Sequence, residues 1–161
     1  MPRFVEVEHR VGIAAPTPVV RAQFGDLDHH IRASVHPKLS FRPLAPVAGR
    51  QRYEQKVRLL GIMQRDVFER EWLPDGSLRD TSIEGFNRGG SLHFSFAAAE
   101  VDGRPGTEVA IRVRLPLPTV LAWLAPALRA QVRREVTAAA NEDKLDLEQR
   151  GYAPAPAPVP A

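Results

Sequence analysis

Apolar and mostly polar residues alternate from Phe4 to Ile13, with Val5, Val7, Val11 and Ile13 at odd positions, and this period of two predicts a half-buried strand. Ala15-Pro16-Thr17-Pro18 stops it. Thr17 as N-cap and Pro18 at the first helical position predict a short helix over Val19–Phe24 ending near Gly25. Asp26 or Asp28 can cap a second short helix that runs to Ala33 and is closed by Pro37. Strand patterns then follow at Leu39–Leu44, Arg52–Leu60, Met63–Leu73, Ser77–Gly85, Ser91–Glu100 and Glu108–Leu115, spaced as in an antiparallel meander. Gly61-Ile62, Pro74-Asp75-Gly76, Asn87-Arg88-Gly89-Gly90 and Asp102-Gly103-Arg104-Pro105-Gly106 join them, each supplying residues that accept positive φ or preset a turn. After Pro116-Leu117-Pro118 the period lengthens: Leu121, Leu124, Leu128, Val132 and Val136 predict an amphipathic helix. Pro126 divides it into a lead-in over Val120–Ala125 and a main helix from Pro126 to about Gln149, with Gly151 as its stop.

This order of elements, opened by Val5-Glu6-Val7-Glu8-His9-Arg10-Val11-Gly12-Ile13-Ala14-Ala15-Pro16, Val19-Val20 and Gly25-Asp26-Leu27, resembles the START-like, or SRPBCC, superfamily over residues 3–150. That superfamily includes polyketide cyclases and lipid-transfer proteins. The resemblance implies an α+β helix-grip fold, in which a seven-stranded curved antiparallel sheet wraps around a long C-terminal helix and two short helices lie between strands 1 and 2. It also implies a deep, mostly apolar cavity, suited to a hydrophobic or aromatic small molecule. The function expected on that basis is binding or carrying a lipid, quinone or polyketide-like ligand. The alternative is a cyclase or aromatase working by acid–base catalysis in the same cavity, since one fold hosts both. Residues 1–151 form the expected domain, and the alternating Ala and Pro of 152–161 predict an extended, disordered tail.

Composition narrows the function further. A chain of 161 residues, 43% hydrophobic and 25% charged, suits one globular core. No apolar run approaches the roughly 18–20 residues of a bilayer span, so no stable membrane insertion is expected. Cys is absent, which excludes disulfides, Cys-ligated zinc, Fe–S clusters and thiol nucleophiles. Met1-Pro2-Arg3-Phe4 leads straight into strand pattern, and a cytoplasmic location is the default expectation. The net charge of +3 comes from Arg scattered along the chain without interleaved aromatics, which points away from nucleic acid. Gly-x-Ser-x-Gly, a Gly-rich phosphate loop and His-Glu-x-x-His are all missing, so hydrolase and nucleotide chemistry lack support, and no cofactor is implied. Either a monomer or a homodimer fits.

Strand alternation nominates the wall of the cavity. Tyr53, Phe68, Trp72, Phe86, Phe94, Phe96, Ile111 and, from the helix, Leu128 are the candidate ligand-binding residues, although the same side chains would serve equally to pack a core. Asp66 and Arg70 flank Phe68 on one face and are the candidate catalytic pair, able to orient a carbonyl or phenol and move a proton if that face is interior. A strand edge or bulge would instead expose them. His29, His30 and His36 cluster with Asp26, and imidazoles with a carboxylate can hold a divalent metal. Their irregular spacing and Pro37 speak against it, so no metal is assigned, and His30 and His36 are read as polar lining at the cavity mouth.

Overall fold

In the computed structural model, which describes residues 3–156, the chain forms one sheet in the order β1-β7-β6-β5-β4-β3-β2. The strands are β1 (Arg3–Ile13), β2 (Ser40–Val47), β3 (Arg50–Leu59), β4 (Ile62–Trp72), β5 (Leu78–Gly85), β6 (Ser91–Val101) and β7 (Arg104–Leu117). Every neighbouring pair is antiparallel. Between β1 and β2 lie two short helices, α1 (Thr17–Gly25) and α2 (Leu27–Arg32). A 3₁₀ turn over Thr119–Leu124 leads into the long α3 (Ala125–Glu148), with Pro126 in its first turn, where a missing N–H costs nothing. This is the α+β helix-grip arrangement that the resemblance implies.

One face of the sheet is apolar because alternation is kept in register across strands. Val5 pairs with Leu115, Val7 with Val113 and Val11 with Val109, and all six are buried. Leu128, Val132, Ala140 and Leu147 of α3 close over this face, with Val20 and Phe24 of α1 at its side. The opposite face carries cross-strand ion pairs such as Arg112–Glu8 and Arg52–Glu69. Among the described residues no helix is long and apolar enough to cross a membrane.

Several local expectations change. Pro16, not Thr17, is the N-cap of α1, and no side chain caps that end. Thr17 is drawn instead to Thr107, whose hydroxyl lies 3.0 Å from its own and donates to the Ala15 carbonyl. The long joint expected at 102–106 contracts to Asp102 and Gly103, both at positive φ (50° and 74°), so β7 starts at Arg104 rather than Glu108. Two consecutive positive φ angles give the two-residue hairpin whose twist matches its strands. Leu60-Gly61 repeats this between β3 and β4, displacing the expected Gly61-Ile62 joint, and Ala48-Gly49 does so between β2 and β3. At the other end, Tyr152 is packed against the core rather than lying in the tail: its hydroxyl donates to Asp26 Oδ2 at 3.0 Å and its ring stands 4.6 Å from that of His29. Residues 153–156 have no regular structure, and the rest of the expected tail, 157–161, lies outside the described residues.

Candidate functional site

Between the sheet and α3 lies a cavity of about 170 Å³. Its wall is mostly apolar, with Phe24 and Leu27 at one side, Phe68, Phe94 and Ile111 on the sheet, and Val136 on α3. Lys38, exposed on the segment after α2, lines its outer end together with Glu135 and Glu142 of α3. Tyr53, Asp66, Phe68, Arg70, Phe94, Ile111, His30 and His36, of the residues nominated from sequence, all line this space.

The other nominees lie elsewhere. Trp72 is at the end of β4, where it covers α1: a Cβ on Gly25 would sit 2.8 Å from its Cζ2, and Arg21 stacks on its ring. Strand alternation places it on the correct face, but the helix end fills the space in front of it. Phe96 meets Trp72 and Phe24 and belongs to the packed core, as does Leu128. Phe86 is 61% exposed. It follows Gly85, whose φ of +116° turns the chain out of β5, and a Cβ at Gly85 would come within 2.2 Å of the Arg65 carbonyl.

Asp66 and Arg70 are both interior, yet each has its own partners. An extra residue in β5, Ile83, shifts the register opposite Val67 and Phe68, so Asp66 and Arg70 meet different parts of β5 and its turn. Asp66 accepts from the Asn87 backbone N–H (2.6 Å), Asn87 Nδ2 (2.8 Å) and Ser82 Oγ (3.0 Å), the Gly85 turn having folded Asn87 back over it. Arg70 pairs with Asp80 of β5 through two parallel bonds, Nε to Oδ1 and Nη2 to Oδ2, both 2.7 Å. Its remaining Nη1 donates to the Phe24 carbonyl at 3.2 Å. Tyr53 donates to Asp80 Oδ2 at 2.7 Å, and its ring stacks on Phe68 and lies under the Arg70 guanidinium. Burial and the adjacent Asp80 charge push the Tyr53 hydroxyl well above its ordinary pKa, so it stays a neutral donor. For Arg70, burial acts downward, but Asp80 overcomes it and holds the guanidinium charged.

A second polar group sits where α2 meets α3. His30 lies 3.0 Å from Asp143 Oδ1, His29 lies 2.8 Å from Asp146 Oδ2, and His36 lies 2.7 Å from Glu142 Oε2. Gln23 donates to both Asp143 and Asp146, leaving its own buried Oε1 without a partner. Asp26 caps α2 through the His29 backbone N–H. Burial lowers the His30 pKa, but the Asp143 hydrogen bond and charge and the Asp26 carbonyl outweigh it, so the net movement is upward. Asp143 is held below the usual carboxylate range because His30, His36 and Gln23 outweigh its desolvation.

Asp80 and Asp143 went unnoticed in sequence, though a signal existed for each. Asp80 alternates with buried Leu78 and Ser82 on β5, and Asp143 continues the helical stripe of Val132, Val136 and Ala140. A charge at an inward position demands a partner.

No protein-family model and no curated protein matches the sequence. Solved structures do match in shape. TTHA0849 from Thermus thermophilus is 17% identical with a TM-score of 0.73, covering 91% of this chain and 99% of its own. A START superfamily protein from Mycobacterium smegmatis is 14% identical with a TM-score of 0.70, covering 88% of this chain and 98% of its own. The chain has the START-like, SRPBCC fold. The Zhui aromatase/cyclase from Streptomyces sp. R1128 shares this START-like fold at 16% identity and a TM-score of 0.62, covering 94% of this chain and 100% of its own. A START-like sheet gripping its last helix leaves a space between the two layers, and the cavity here occupies that position.

Proposed function

We propose that this protein binds a hydrophobic or aromatic small molecule in the cavity between sheet and α3, as a carrier or binding protein. The observation that carries the reading is an apolar cavity whose buried charges are already satisfied by the protein itself. Asp80 is matched by Arg70 and Tyr53, and Asp66 by Asn87 and Ser82, which leaves the aromatic and aliphatic wall to meet the ligand. A cavity of about 170 Å³ is of the size that takes one aromatic ring, as engineered apolar cavities of about 150 Å³ take benzene. A larger lipid or polycyclic guest requires α2 or the Lys38 segment to move outward. Similarity in fold to an aromatase/cyclase supports the class of ligand and says nothing of turnover.

The second reading, a cyclase-like enzyme, draws on Tyr53 and Arg70 as donors and on the Asp66 carboxylate as an acceptor at the same wall, where a ligand carbonyl would be oriented and a proton taken up. Under that reading Asp66→Asn abolishes turnover of a poly-β-keto substrate while leaving its binding intact.

Native mass spectrometry of the purified protein, compared with its denatured mass, tests for a retained ligand, and titration with a single-ring aromatic fluorophore tests the cavity itself. Ala139 lines the space from α3, so Ala139→Trp fills it. The expected result is saturable binding of one fluorophore per chain, weakened at least tenfold by Ala139→Trp with circular dichroism unchanged. Equal binding by the wild type and this variant overturns the proposal.

A further inference from the structure

Three side chains converge on one carboxylate oxygen where α2 meets α3. Asp143 Oδ1 lies 3.0 Å from His30 Nε2, 3.5 Å from His36 Nε2 and 3.0 Å from Gln23 Nε2. One donor atom each from His30, His36 and Asp143 fall within 4.8 Å of one another. The group is almost sealed, with the His30, His36 and Asp143 side chains 9%, 9% and 6% exposed.

The positions of the protons define what this arrangement can hold. The Asp26 main-chain carbonyl only accepts, so His30 Nδ1, 2.8 Å away, carries the N–H. The Glu142 carboxylate fixes a proton on His36 Nδ1 in the same way at 2.7 Å. In its neutral form each ring then aims an Nε2 lone pair at Asp143 Oδ1, acceptor against acceptor. A proton on His30 Nε2 serves only the 3.0 Å contact; at 3.5 Å the His36 Nε2 contact is no hydrogen bond, so that nitrogen faces the carboxylate unpaired, its ring centroid 5.2 Å from that of His30. A single cation among the three atoms removes both conflicts. Metal-ligating imidazoles are characteristically oriented by a carbonyl or carboxylate on the far nitrogen, which is the arrangement of both rings here. Donor atoms bound at about 2.0–2.1 Å to one tetrahedral centre stand about 3.3 Å from each other. The separations of 3.0 and 3.5 Å from Asp143 Oδ1 bracket that distance.

We infer that His30, His36 and Asp143 form a binding site for one divalent first-row transition metal ion, with two neutral imidazoles and a carboxylate as protein ligands. That donor set suits Zn(II) or Fe(II) and leaves coordination positions for other oxygen donors. His30, His36 and Glu142 line the cavity, so an oxygen-bearing guest there can reach the ion. The irregular sequence spacing that argued against a metal is resolved by the third ligand, which comes from α3 and not from the His29–His36 stretch. The site stands whether or not the cavity holds an organic ligand.

Cobalt(II) titration of the tag-free, chelator-treated full chain tests this, read by visible absorption and by competition with Zn(II). The expected outcome is one Co(II) per chain, with d–d bands several-fold stronger than those of the aquo ion and displaced by one equivalent of Zn(II). His36→Ala and Asp143→Asn each weaken binding at least about tenfold, while His29→Ala, whose ring contacts Asp146, leaves it unchanged. His30→Gln provides a further ligand deletion should Asp143→Asn fail to fold. A spectrum that stays that of aqueous Co(II), or equal binding by the wild type and the ligand variants, overturns the assignment.

Discussion

Asp80 accepts three hydrogen bonds from Arg70 and Tyr53 and has no solvent exposure, so its removal strands two donors at once. Breaking one side of a buried ion pair typically costs about 3–5 kcal/mol, because the other charge remains desolvated and unpaired. Asp80→Asn is therefore expected to lower unfolding free energy by about that amount in urea titration. Removing both charges in Arg70→Met with Asp80→Leu recovers only part of the loss, because the unpaired charge is gone but the buried Tyr53 hydroxyl still lacks its acceptor. A small effect of Asp80→Asn alone would mean that water reaches Arg70. Inward positions of Asp66 and Arg70 follow from alternation along β4, but their pairing does not, because the partner of Arg70 comes from the next strand and the partner of Asp66 from a turn made possible by Gly85.

At the scale of elements, the hairpins and α3 form largely where hydrophobic period and turn chemistry place them. Misplaced boundaries trace to tertiary demands. Thr17 gives up capping α1 for a hydroxyl contact with Thr107 of β7, and Pro105 is absorbed into the start of that strand. Tyr152 is the clearest case, since nothing in Gly151-Tyr152-Ala153 marks the Tyr as structural, yet it closes the group formed by α2 and α3 through Asp26 and His29. Tyr152→Phe is expected to cost about 1 kcal/mol, the usual net worth of one hydrogen bond. Tyr152→Ala adds about 1 kcal/mol more for the ring contact. Urea melts of the two variants give both numbers, and equal stability of wild type and Tyr152→Ala would show that the segment does not brace the helices.

For the molecule as a whole, the face of the sheet away from α3 accounts for much of the Arg. Glu54 lies between Arg42 and Arg65 on neighbouring strands, and Arg50 and Arg52 share Glu69. The Arg42 hydrogen bond, opposed by partial desolvation and reinforced by Arg65, lowers the Glu54 carboxyl from 4.5 to about 2. A carboxyl lowered on folding contributes stability that is complete above its unfolded value and is lost as pH falls through its folded value. The contribution of Glu54 is thus present above pH 4.5 and disappears between 4.5 and about 2. Urea midpoints at pH 6 and pH 3 check this: the wild type should lose more stability over that interval than Glu54→Gln, and parallel losses would show that Glu54 is not a source of acid sensitivity.

By itself the sequence determined the elements, their order and the apolar face they share, since a period of two or of three to four residues is a local property that burial of one face enforces. It also put Tyr53, Phe68, Phe94 and Ile111 on inward-facing strand positions, as it did Trp72 and Phe96, but alternation fixes the face of a strand and not what lies in front of it. Only the tertiary structure decided that Trp72 and Phe86 lie outside the cavity, that Arg70 meets Asp80 and that His30 and His36 meet Asp143. Those outcomes depend on a bulge, on a glycine at positive φ and on where α3 crosses the sheet. The histidines meet a residue far along the chain, while Arg70 meets Asp80 across a hairpin and Phe86 is turned out by its neighbour Gly85, and no period of hydrophobicity encodes any of these.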